Sequence, residues 1–155
     1  MAVLPAGTPA PEFTLRREDG SELTNADLAG KTVVLVFYPF AFSAVCSDQF
    51  QVYEEALGEI TAQGAEIYGV STDAPDSQIA FREKLGVTIG QLSDFEPKGA
   101  ASRAFGAFFE PGGMATRALV VLRDGTVAWS WEGEHPGVLP GVNLIFDGLA
   151  AAQGA

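Results

Sequence analysis

An α/β fold with a mixed central sheet is the architecture this 155-residue chain predicts, on three observations. Segments 32–38, 66–72 and 116–123 are apolar and rich in β-branched residues, the pattern of strands buried on both faces. The first two are each followed by helical patterning, at 43–63 and 77–85, as alternating strands and helices of one layered domain require. The chain then closes with a tight Asp124-Gly125 turn into a partner strand at 126–131, which adds an antiparallel pair, and a last helix at 139–152.

The remaining elements follow in order. Gly7-Thr8-Pro9-Ala10-Pro11 is a turn-rich lead-in. Phe13-Thr14-Leu15-Arg16 alternates as a short strand, Asp19-Gly20 turns it, and residues 21–24 return, so the chain starts with a β-hairpin. Residues 25–30 form one capped helical turn ending at Gly30. Pro39 stops the first buried strand. The long helix carries Phe50, Tyr53, Leu57 and Ile60 at helical spacing and ends at Gly64. The second helix is capped near Asp76 and ends at Gly86. Residues 89–93 make a short strand, 99–105 a short helix, and 110–113 a flexible loop. With no repeat, linker or low-complexity segment, residues 1–155 read as one domain.

Composition narrows the function. The chain is 47% hydrophobic and 19% charged, as folded globular proteins are. Its net charge of −11 repels phosphate backbones and anionic lipid, so neither nucleic acid nor membrane is an expected partner. The longest apolar run, 33–42, is too short to span a bilayer and contains a proline. The N-terminus lacks the basic and apolar regions of a signal peptide. A single cysteine cannot build a disulfide framework, and the expected location is the cytoplasm.

That cysteine, Cys46, sits where the long helix begins. With Ser43 as N-cap, Cys46 is the third helical residue, and the Ser43 hydroxyl oxygen can accept its backbone N–H. The unpaired N–H groups and the dipole of a first turn favour a thiolate, the nucleophilic form of cysteine. Phe40, Phe42 and Val45 add apolar bulk, so a cation is needed to hold the charge. Arg117, at the mouth of an apolar strand, is the candidate. A surface pairing of Arg117 with Glu110 or Asp94, and Cys46 as a small buried hydrophobe, are the alternatives. His135, the only histidine, lies in a loop and reads as solvated; Glu54 and Glu55 read as a solvated helix face. Trp129 and Trp131 share one strand face, as core or interface aromatics. One cysteine and one histidine do not make a zinc site, and no Gly-rich phosphate loop follows a strand.

Pro39-x-x-x-Ser43-x-x-Cys46 after an apolar strand resembles the active-site motif of the peroxiredoxins, and Arg117 matches the arginine that completes that family's site. The lead-in from Gly7 to Leu15, the segment Leu92-Ser93-Asp94-Phe95 and the Arg123-Asp124-Gly125 turn are similar to peroxiredoxin sequence too, in the same order. The resemblance is closest to the one-cysteine alkyl hydroperoxide reductase E type. It implies a thioredoxin-like fold, and reduction of hydrogen peroxide and organic hydroperoxides through a Cys46 sulfenic acid. It makes Cys46, Ser43, Pro39 and Arg117 the site residues, without cofactor or metal. An external thiol would close the cycle: a low-molecular-weight thiol, a glutaredoxin-like protein or thioredoxin. It also implies a homodimer; Phe40, Phe42 and the Phe105, Phe108, Phe109 group are candidates either for that contact or for the core. Many relatives carry glutamate three residues after the cysteine; here Gln49 stands there, on the cysteine's face of the helix, while Asp48 points away. The alternatives are a peroxide-sensing or partner-binding protein on the same fold without efficient turnover, and a catalytically silent thioredoxin-like domain.

Overall fold

A computed structural model describes residues 2–154. Its centre is a seven-stranded mixed sheet. The strands are β1 (Thr14–Arg17), β2 (Glu22–Thr24), β3 (Thr32–Phe37), β4 (Ala65–Ser71), β5 (Gly90–Ser93), β8 (Ala118–Arg123) and β9 (Thr126–Glu132), in the spatial order β2-β1-β5-β4-β3-β8-β9. β3, β4 and β5 run parallel; the hairpin β1-β2 and the pair β8-β9 extend the two edges antiparallel. The helices are α1 (Ala44–Glu55), α2 (Leu57–Ala62), α3 (Pro75–Leu85), α4 (Ala100–Ala104) and α5 (Val142–Gln153). This is the thioredoxin-like α/β architecture expected.

The period-2 pattern divides the core. Val33, Leu35 and Phe37 of β3, with Ala118, Val120 and Leu122 of β8, bury one face against Phe13, Leu15 and Phe105. Val34 and Val36, with Leu119 and Val121, bury the other against Phe50, Tyr53, Phe81, Ile145 and Leu149 of the long helices. Cys46 belongs to this second face. Close approach there needs glycine twice. A Cβ on Gly69 of β4 would come within 2.6 Å of Phe50 Cζ, and one on Gly148 of α5 within 2.6 Å of Val121 Cγ2.

Three details depart from expectation. The helix expected over 43–63 is two helices hinged at Ala56 (φ −98°, ψ 1°), whose N–H bonds Tyr53 O at 3.1 Å while its own carbonyl accepts from Glu59 and Ile60. Gly58, a poor helix former, sits at the restart. α3 begins at Pro75 after Ala74, not near Asp76, because proline at the first helical position forfeits no hydrogen bond. The loop expected at 110–113 is the tip of a small hairpin, β6 (Phe108–Phe109) and β7 (Met114–Ala115), whose strands are too short to show a period. Among the described residues, no helix is long and apolar enough to cross a membrane.

Candidate active site

β3 delivers the chain to one end of the sheet, where Tyr38 N–H still bonds Val70 O at 3.0 Å before the buried Pro39 breaks the ladder. A four-residue loop then turns into α1. Ser43 is the N-cap: its Oγ accepts the Cys46 N–H at 3.3 Å, so its own proton is free to point elsewhere. Cys46 is fully buried.

The antiparallel register of β3 and β8 pairs Phe37 with Ala118, so Arg117 arrives just beyond the end of β3, beside the start of α1. Its Nη2 donates to Cys46 Sγ at 3.2 Å. Nη1 donates to Gln49 Oε1 at 2.6 Å and Nε to the Pro136 carbonyl at 2.7 Å. Arg117 is 2% exposed, and among the described residues its guanidinium has no carboxylate partner. The alternative partners are taken: Glu110 pairs with Arg103, and Asp94 accepts the N–H groups of Ala101 and Ser102. Cys46, Ser43, Arg117 and Gln49 thus converge, with Pro39 opening the loop, while Asp48 is exposed on the opposite side.

A hydroxyl not foreseen from helical spacing joins the group. Gln49 Nε2 donates to Tyr53 OH at 3.1 Å, and Tyr53 OH donates to the Pro140 carbonyl at 2.7 Å. Burial pushes the Tyr53 phenol up to about 12, against the opposing pull of Gln49 and Arg117, so it stays protonated. The polar tip of a tyrosine whose ring fits the apolar stripe gives no periodic signal.

The other side of the loop is held by Asp73. Its Oδ2 accepts from Ala41 N–H at 2.8 Å and from Ser71 Oγ at 2.7 Å, and Ser71 in turn accepts from Gln78 Nε2 at 2.9 Å. Between these anchors Phe42 adopts φ 70°, a left-handed conformation costly for a bulky residue, and packs edge-on against Phe81.

Phe40, Phe42 and Phe109 are exposed, whereas Phe105 and Phe108 belong to the core. Trp129 and Trp131 are half-buried against the second core face. His135 is exposed, and its ring Nδ1 accepts from Gly137 N–H within its own loop, in keeping with a solvated position. Glu54 is a correction: rather than a solvated helix face, it caps the N–H groups of Thr88 and Ile89 and the Thr88 hydroxyl. Among the described residues, no three His, Cys, Asp or Glu side chains lie where they could hold a metal ion.

A buried thiol at a helix start, in contact with an arginine at the end of a thioredoxin-like sheet, describes a thiol oxidoreductase. The profile of the AhpC/TSA family matches residues 6–130, and the chain belongs to that family, the peroxiredoxins. It is 34% identical to alkyl hydroperoxide reductase E of Mycobacterium tuberculosis over 151 residues, covering 96% of this chain and 98% of the relative. It is 30% identical to alkyl hydroperoxide reductase C of Amphibacillus xylanus over 138 residues, covering 88% and 73%. Its fold superimposes on the crystal structure of Enterococcus faecalis AhpC with a TM-score of 0.86 at 24% identity, covering 99% of this chain and 93% of that one.

Proposed function

We propose that this chain is a one-cysteine thiol peroxidase that reduces hydrogen peroxide and organic hydroperoxides, with Cys46 as nucleophile. The observation that carries the reading is the Arg117 guanidinium, 3.2 Å from the sulfur and, among the described residues, without a carboxylate of its own. A buried cation without an anion is costly, and a Cys46 thiolate supplies the anion.

The thiolate attacks one peroxide oxygen. The S–O bond forms as the O–O bond breaks, and the electron pair leaves on the second oxygen, which takes up a proton to become water or an alcohol. Sulfur is oxidised to sulfenic acid and peroxide is reduced. Arg117 stabilises charge on the departing oxygen, the Ser43 hydroxyl donates to the bound peroxide, and Pro39 shields the sulfur from water. Since the chain has one cysteine, the sulfenic acid condenses with an external thiol, releasing water, and a second thiol frees Cys46. Low-molecular-weight thiols, a glutaredoxin-like protein and thioredoxin are the candidate reductants. We further propose a homodimer packed through the exposed Phe40 and Phe42 loops, and a cytoplasmic location, where a lone thiol stays reduced.

The complete burial of Cys46 favours one second reading, a slowly oxidised peroxide sensor. Stopped-flow oxidation of the reduced protein by hydrogen peroxide and an organic hydroperoxide separates the two. The peroxidase reading expects a rate far above that of free cysteine thiolate; a rate no faster would sink it.

A further inference from the structure

We infer that Tyr53 is a positioning residue of this site: it fixes which way the Gln49 amide faces, and so makes the site selective for an amide over a carboxylate at position 49. The consequence for rate rests on the peroxidase reading; the hydrogen-bond logic does not.

Neither end of the chain of bonds can change roles. The Pro140 carbonyl only accepts, and the Arg117 guanidinium only donates. At one end, Tyr53 OH lies 2.7 Å from Pro140 O and spends its single proton there. Its lone pair therefore faces Gln49, so the Gln49 group 3.1 Å away has to be the donor, Nε2. That turns Oε1 toward Arg117, where Nη1 meets it at 2.6 Å. The arm of Arg117 that reaches Cys46 Sγ is thus set by a run of donors all pointing one way: Arg117 to Gln49, Gln49 to Tyr53, Tyr53 to Pro140. Gln49 and Tyr53 are one turn apart on α1 and both fully buried, so no water replaces a missing partner.

A glutamate at position 49 has no proton to give Tyr53. The phenol then faces two acceptors with one proton, and the charged one takes it, because a hydrogen bond to a carboxylate is the stronger. Pro140 O is left without its donor, and with it the segment between Pro136 and Pro140 loses one of its two ties to the site, the other being Arg117 Nε to Pro136 O. With phenylalanine at position 53 the conflict does not arise. Pro140 O is already unpaired, the unpaired Gln49 amide N–H disappears on conversion to glutamate, and the number of unsatisfied groups does not rise. The electrostatic effect of a carboxylate on Arg117 is the same in both backgrounds and cancels in the comparison.

The test is a double-mutant cycle on the rate constant for Cys46 oxidation by hydrogen peroxide: wild type, Tyr53→Phe, Gln49→Glu and the double variant, each confirmed folded by near-ultraviolet circular dichroism. Gln49→Glu is expected to slow oxidation about fivefold more with Tyr53 present than in the Tyr53→Phe background. A tyrosine that merely supports the core would lower the melting temperature but leave the Gln49→Glu effect equal in both backgrounds, and that equality overturns the inference. The peroxidase reading fails separately, if the wild type reacts no faster than free cysteine thiolate. A second arm needs neither activity nor the Tyr53→Phe variant: amide hydrogen exchange, read by mass spectrometry on peptides covering 133–144, is expected to be faster in Gln49→Glu than in wild type. Unchanged exchange there overturns the inference as well.

Discussion

Arg82 and Arg117 hold their positive charges in opposite ways. Arg82, on α3, meets a carboxylate: Nε lies 3.1 and 3.0 Å from the two oxygens of Glu18, and Nη2 lies 2.9 Å from one of them. Those bonds raise the guanidinium above its ordinary value, against a smaller effect of burial. Glu18 also accepts the Gln91 N–H, so the pair ties the end of β1 to β5. Arg117 is more deeply buried, yet its partners are a carbonyl, an amide oxygen and a sulfur. The first charge is used up in holding the fold together. The second is oriented by neutral acceptors and left electrostatically open toward Cys46. Desolvation penalises the second arrangement by several kcal/mol unless an anion joins it, so the difference points to chemistry at the sulfur.

Breaking the open cation gives the largest expected effect. Arg117→Ala is expected to slow Cys46 oxidation about 10²–10³-fold in stopped flow, the magnitude typical of losing one donor to a developing oxyanion. Near-ultraviolet circular dichroism should show the fold retained, and an unchanged rate would remove Arg117 from the site. Arg117→Lys keeps the charge but cannot make three planar contacts at once, and should fall between Arg117→Ala and wild type. Gln49→Glu, which gives Arg117 the kind of partner Arg82 already has, should cost less than Arg117→Ala; the reverse order would refute the role assigned to Gln49.

How much of this was legible beforehand depended on the kind of signal. The buried strands and the Cys46 helix start were written in local patterns: β-branched runs, Pro39 as a stop, Ser43 as a cap. Arg117 stood out because an arginine at the mouth of an apolar strand needs a partner, and only the β3–β8 register shows that the partner is Cys46. The hinge at Ala56 escaped, because apolar spacing runs straight across it. So did the β6–β7 hairpin, whose two-residue strands carry no period. Tyr53 was visible only as a ring in an apolar stripe, and Asp73 only as a loop residue. Their polar partners, Pro140 and Ala41, are backbone groups distant in sequence, which no side-chain pattern encodes.

The paired cation offers a smaller, purely structural effect. Glu18→Gln removes the charge opposite Arg82 while keeping the acceptor oxygen. The two side chains are 26% and 22% exposed, so solvent screening limits the loss to about 1 kcal/mol. For a chain of this size that lowers the melting temperature by about 2–4 °C. Oxidation of Cys46 should not change. A fall in the oxidation rate would mean that the two arginines are coupled through the sheet, and the contrast between them would fail.

The smallest effect belongs to a third arginine, paired wholly on the surface. Arg103 donates to both oxygens of Glu110, at 2.9 and 3.2 Å, and stacks over Phe108 with its centre 4.1 Å from the ring centroid. Its hydrogen bonds hold the Glu110 carboxyl below its ordinary value, the burial effect being smaller and opposite. A carboxyl lowered by folding stabilises the folded state above its unfolded value, and that contribution disappears as pH falls through the folded value. The melting temperature of wild type should therefore exceed that of Glu110→Gln slightly at neutral pH, with the gap closing as pH falls below the ordinary carboxylate range. A gap that persists in acid would assign the Glu110 contribution to packing of the β6–β7 hairpin rather than to charge. In either case oxidation at neutral pH should match wild type, because the Glu110 carboxylate is paired with Arg103 and makes no bond to Arg117.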